Sequence, residues 1–162
     1  DSVASRGLGD VYKRQFPACF NPLNSVSGAS QSGLLVLAKQ TTDATATVIT
    51  SDGGAAGTSN QVILPNNSAY YFKGSVIANV TGAANGAAWR IEGAIMRGAN
   101  AASTVFIGTP TVDRIGATGG ASLWSVAVTT DTTNGGIAVT VTGGVATTIR
   151  WVAKIETTEV TF

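Results

Sequence analysis

The side chains able to do chemistry are few, and their types narrow the choices at once. Histidine is absent from all 162 residues, which removes the usual general base and the commonest metal ligand. Ser-His-Asp, Cys-His and HExxH arrangements are therefore excluded by inventory. Cys19 is the single cysteine, so neither an intrachain disulfide nor a CxxC zinc cluster can form. Among the carboxylates, Asp43 and Asp52 are too isolated in the chain to propose as a glycosidase pair, because that mechanism is decided by a separation in space. The run DTTNGG at 131–136 begins like a calcium loop but lacks the acidic residue expected six positions beyond the glycine. Its Asn-Gly pair instead predicts a hairpin turn. No P-loop or dinucleotide fingerprint occurs. The expectation is a protein with no catalytic residues, no metal site and no cofactor.

The polar residues that remain fall into a pattern of another kind. Arg90 and Glu92, then Arg150, Lys154 and Glu156, occupy alternate positions along apolar-alternating segments, so they share one face of a sheet. Opposite charges on neighbouring strands make cross-strand ion pairs. Such a face is read either as a solvated surface or as a subunit contact in which complementary charge sets the register between identical chains. Tyr71 and Lys73 either extend that contact or meet a glycan, since an exposed aromatic is a stacking platform for a sugar.

The elements that must position these residues are strands. In AYYFKGSVIANV, Tyr70, Phe72, Val76, Ala78 and Val80 share a face, with Tyr71, Lys73, Ser75 and Asn79 opposite. The device repeats with Trp89, Ile91 and Ile95, with Trp124, Val126 and Val128, and with Ile137, Val139 and Val141. The last segment places Ile149, Trp151, Ala153 and Ile155 together. GLLVLAK at 33–39 suits a buried strand, TATVITS at 45–51 alternates, and SDGGAAGTSN at 51–60 is a loop. TGAANGA at 81–87 and TGGVAT at 142–147 connect further strands, while ANAAS at 99–103 makes at most a helical turn. Eight to ten short strands with turn residues between them predict an all-β fold, an antiparallel β-sandwich of jelly-roll-like form. The expected organisation is a single domain over 33–162, preceded by an irregular lead-in at 16–32.

Composition agrees with that class. Hydrophobic residues make up 44% and charged residues only 12%, about half the usual charged share. The formal charge is +1 with the cations dispersed, so no electrostatic footprint for nucleic acid is present. No run approaches 18 apolar residues, which excludes a membrane-spanning helix. The opening DSVASRGLGDVYKRQ lacks the apolar stretch of a secretory signal.

Back-translated, Asp10 to Gln15 can be written GAT GTG TAT AAG AGA CAG, and residues 5–15 as a whole resemble a sequencing-library adapter translated in one open frame. That resemblance implies an artefactual, disordered segment at 1–15 on a chain assembled from environmental reads, with the true gene starting further upstream. Residues 1–15 contain Arg6, Lys13 and Arg14 against Asp1 and Asp10, leaving seven basic and seven acidic side chains in the remainder.

LPNNSAYYFKG, AAWRIEG, DTTNGG and IRWVAKIETTEV, within a match of roughly 40–160, resemble a C-terminal β module of tailed-bacteriophage structural proteins of the tail-fibre or tailspike type. The resemblance implies a non-enzymatic virion component, a homotrimer joined to other virion proteins and displayed at the tail or capsid surface. Its implied use is attachment to a bacterial surface glycan. The alternatives are a capsid-decorating or head-fibre protein, and a non-catalytic fragment of a larger carbohydrate-active protein or adhesin.

Overall fold

The computed structural model describes residues 29–82 and 84–162. The expected adapter-derived segment 1–15, the first part of the lead-in and Cys19 lie outside the described residues. Within them the chain is an antiparallel β-sandwich, in agreement with the sequence pattern. Ten strands run β1 (Ser30–Thr41), β2 (Thr47–Val48), β3 (Val62–Ile63), β4 (Ser68–Val80), β5 (Gly86–Arg97), β6 (Thr104–Phe106), β7 (Thr111–Ala117), β8 (Ser125–Asp131), β9 (Gly136–Thr142) and β10 (Ile149–Thr161). One sheet has the order β1-β10-β4-β5-β6 with β7 also on β5, and the other has β2-β9-β3 with β8 on β9. The first described strand and the last lie side by side, and the second lies against the ninth in the opposite sheet. The β4–β5 and β8–β9 hairpins complete the two layers. Among the described residues no helix is long and apolar enough to cross a membrane.

Period-two alternation puts one apolar face of each sheet into a common core. Tyr70, Phe72, Val76 and Ala78 from β4, Trp89, Ile91 and Ile95 from β5, and Ile149, Trp151, Ala153 and Ile155 from β10 are all buried in it. Ile137, Val139 and Val141 close it from the other sheet, together with Val126 and Val128. Within the large sheet, bulky and small residues are matched by register. Trp151 lies opposite Ala78, which faces Ala87, while Trp89 lies opposite Val76, which faces Ala153. The two indoles thus meet across β4, over Ala78 and Val76, with ring centroids 5.7 Å apart. Trp124, just ahead of β8, closes on Trp151 from the other layer, also at 5.7 Å. The Trp151 indole N–H donates to the Thr41 hydroxyl at 2.9 Å, so the largest buried side chain carries no orphaned donor.

Three local readings are corrected. β1 begins at Ser30, inside the expected lead-in of 16–32, because Ser30, Gln31 and Ser32 pair with Val160, Glu159 and Thr158 of β10. That extension is fixed by a distant partner and not by an apolar pattern. The alternating stretch 45–51 supplies only the two residues of β2 and an isolated bridge from Ala38 to Thr50. Trp124 precedes β8, as the C-cap of a short 3-10 turn over Gly119–Leu123. At 131–136 the ladder closes on the Asp131–Gly136 pair, so the turn has four residues and only Gly135 (φ 80°) takes a left-handed conformation. The ANAAS segment forms a single 3-10 turn at Ala101–Ser103, closed by reciprocal capping between Asn100 and Ser103.

Truncating Trp151 to alanine removes the ring that joins both other indoles, and should cost about 3–5 kcal/mol of stability. Thr41→Val leaves the indole N–H buried without an acceptor and should cost about 1–3 kcal/mol. Urea denaturation of both variants checks the pair, and Thr41→Val matching the parent chain in midpoint would refute the second account.

Candidate functional site

The outer face of the six-stranded sheet carries a cluster of charged side chains. Antiparallel register places the outward residues in cross-strand rows. One row runs Val36, Lys154, Ser75, Arg90, Asp113, and the next runs Leu34, Glu156, Lys73, Glu92, Thr111. Beside them a third row is apolar, Ala38, Val152, Ile77, Ala88. Beyond that lie Gln40, Arg150 and Asn79. Strands about 4.8 Å apart and rows about 6.7 Å apart bring the charged groups within mutual reach.

Lys73, Arg90, Glu92, Lys154 and Glu156 surround one shallow depression of about 320 Å³ over Gly74 and Ser75. Glu156 is held between two cations, with Lys154 Nζ at 2.7 Å and Lys73 Nζ at 3.4 Å. The Lys154 ammonium beside it is the main reason its carboxyl titrates below the ordinary carboxylate range, with Lys73 adding to the effect. Arg90 Nη2 meets Asp113 Oδ2 at 2.6 Å, a charge-assisted contact that holds the guanidinium charged. The Tyr71 hydroxyl donates to Glu92 Oε1 at 2.6 Å. That bond to an anion raises the phenol above its ordinary value of 10.0.

Of the residues singled out by the sequence, Arg90, Glu92, Lys154 and Glu156 come together, and Lys73 joins them. Tyr71 lies one row further along β4, tied to the cluster through Glu92. Arg150 stands apart on the far side of the apolar row. Its Nε donates to Gln40 Oε1 at 3.3 Å, and it borders a second depression with Asn79, Val80, Thr81 and Thr148. Asp113 is the member that sequence reasoning missed. The alternation Val112 in, Asp113 out was its only signal, in a segment whose apolar residues are too few to announce a strand.

The isolated aspartates do local structural work. Asp52 Oδ1 accepts from the Gly54 N–H, the Asn60 amide and the Thr50 hydroxyl, closing the 51–60 loop. Asp43 Oδ1 accepts from the Thr45 N–H. Partial burial opposes ionisation of Asp131, but hydrogen bonds from Asn134 and Thr133 outweigh it and hold the carboxyl low. Arg114 also serves the core. Its guanidinium lies 5.6 Å from the Trp89 ring and donates to the carbonyls of Ser122 and Trp124. Among the described residues, no group of three or more Cys, Asp or Glu is placed to hold a metal ion.

No protein family, curated protein or solved structure matches this chain in comparison.

The Tyr71–Glu92 bond has a measurable consequence. A phenol whose folded value is raised contributes stability that is present below its unfolded value and lost as pH rises through the folded one. Glu92→Gln removes the charge that raises it, so the Tyr71 titration followed by ultraviolet absorbance should move back toward 10.0, the ordinary value. An unchanged titration would mean that the two side chains are apart in solution.

Proposed function

We propose that this chain is a non-enzymatic structural module of a tailed-phage virion, of the tail-fibre or tailspike type, which assembles with identical chains and contributes to host-surface attachment. The observation that carries the reading is the outer sheet face. It joins an exposed apolar row to two rows of charges that largely neutralise one another. A face serving only solubility needs no apolar row, whereas apolar centres flanked by polar contacts are the anatomy of protein interfaces. The resemblance of LPNNSAYYFKG and IRWVAKIETTEV to phage tail modules supplies the biological setting, and a homotrimer is the assembly it implies. Tyr71 and Lys73 stand on the same face, with Tyr71 42% exposed, and they are the residues proposed to meet a bacterial surface glycan.

Light scattering on the full chain at micromolar concentration should give a mass above that of one chain, and a monomer throughout would remove the assembly reading. Binding to a glycan array and to intact bacteria tests attachment. Tyr71→Ala should weaken binding about tenfold or more, as loss of an aromatic anchor does. A parent chain that binds no bacterial surface would exclude the attachment role.

A further inference from the structure

We infer that the outer face of the six-stranded sheet is a twofold contact between two copies of this chain, packed face to face about an axis that runs along the strands between β10 and β4. This rests on the assembly reading above and specifies its geometry, with a twofold pair in place of the threefold that the resemblance implies.

The argument begins with exposed apolar surface. Ile77 and Val152 are 55% and 42% exposed and stand directly opposite each other on β4 and β10. These side chains leave water only if another surface covers them. A twofold axis lying in the interface, parallel to the strands, keeps each cross-strand row at its own height and reverses its order. Placed between β10 and β4, it sets β10 of one copy over β4 of the other. Val152 then meets Ile77 of the second copy, Lys154 meets Ser75, Arg150 meets Asn79, and Glu156 meets Lys73. Because the contact is isologous, each of these pairings occurs twice. At the centre apolar faces apolar, acid faces base, and no like charges oppose one another; outside it Val36 comes over Arg90 and Leu34 over Glu92.

Other placements are less favourable. An axis through β4 sets Glu156 over Glu92 and Lys154 over Arg90. An axis through β10 sets Glu156 and Lys154 each over its own copy. An axis between β4 and β5 does pair Lys73 with Glu92. It also sets Lys154 over Asp113, but it matches Ile77 only with Ala88 and Val152 only with Gly116, so the exposed apolar pair at the centre stays uncovered. Packed sheets cross at about 30°, so contact is close only near the axis, and the central pairings decide the outcome. The existing intrachain Lys73–Glu156 contact does not prevent the exchange, since it spans 3.4 Å between side chains 59% and 40% exposed and exposed pairs of that kind are weakly held. A threefold arrangement is heterologous. It would put this face against a different surface of the next copy, and the reciprocal Lys73–Glu156 exchange would not arise.

Charge exchange between variants tests this on the full chain. Lys73→Glu gives the central pair two carboxylates and Glu156→Lys gives it two ammonium groups, so each variant alone should dimerise at least tenfold more weakly than the parent in analytical ultracentrifugation. Mixed in equal amounts they should form a heterodimer with near-parental affinity, because each new charge then faces its opposite on the other copy. Intrachain effects of the substitutions cannot produce that recovery. A mixture that stays monomeric while the parent dimerises overturns the proposed axis. So does recovery by Glu92→Lys, in place of Glu156→Lys, with Lys73→Glu. A trimer indifferent to all of these variants overturns the twofold while leaving assembly of identical chains intact, and a monomeric parent removes both.

Discussion

The contact among Trp89, Trp151 and Trp124 is what the rest of the structure depends on. Two of these rings belong to the large sheet and the third enters from the segment leading into the small one, so the cluster is where the layers are held together. It forms because β4, between β5 and β10, presents Ala78 and Val76 where larger residues would keep the indoles apart. Large and small residues exchanged across neighbouring strands fill the interior at near-crystalline density. The polar end of Trp151 is satisfied by Thr41 at the end of β1, which ties the edge strand into the same core.

The character of the outer face follows from that core. With Trp151, Ala153 and Ile155 committed inward, the intervening Arg150, Val152, Lys154 and Glu156 have nowhere to go but outward, and the same holds for Lys73 and Ile77 on β4. The outer surface is therefore a by-product of strand geometry in its placement, but not in its composition. Lys154, Lys73 and Arg90 are met by Glu156 and Asp113 at close range, so the face presents little net field while keeping several ionic groups. A face with little net charge and an apolar row suits contact with a protein copy more than attraction of a charged polymer.

Inward positions near the end of β10 are polar. Thr157 and Glu159 continue the inward phase after Ile155 and are buried, with the Thr157 hydroxyl donating to Glu159. Gly33, paired with Thr157, makes room for them, since a Cβ there would stand 2.5 Å from the Thr157 hydroxyl and 2.7 Å from a Glu159 oxygen. Similar economy governs Gly74, where a Cβ would come within 2.3 Å of the Lys154 carbonyl. Its absence lets β4 lie close against β10 beneath the charged depression.

By itself the sequence determined the fold class, the inward set of the long strands and the sharing of a face by Arg90 with Glu92 and by Lys154 with Glu156. All of these follow from period-two alternation, which is a property of a single strand. It did not reveal Asp113, the polar start of β1 at Ser30 or the burial of Glu159, because each depends on a partner distant in the chain. The tertiary structure alone decided that β10 lies between β1 and β4. That one adjacency sets Lys73 beside Glu156 and Val152 beside Ile77, and leaves Arg150 on the far side of the apolar row. Alternation says which way a side chain points, but only strand order and register say what it meets.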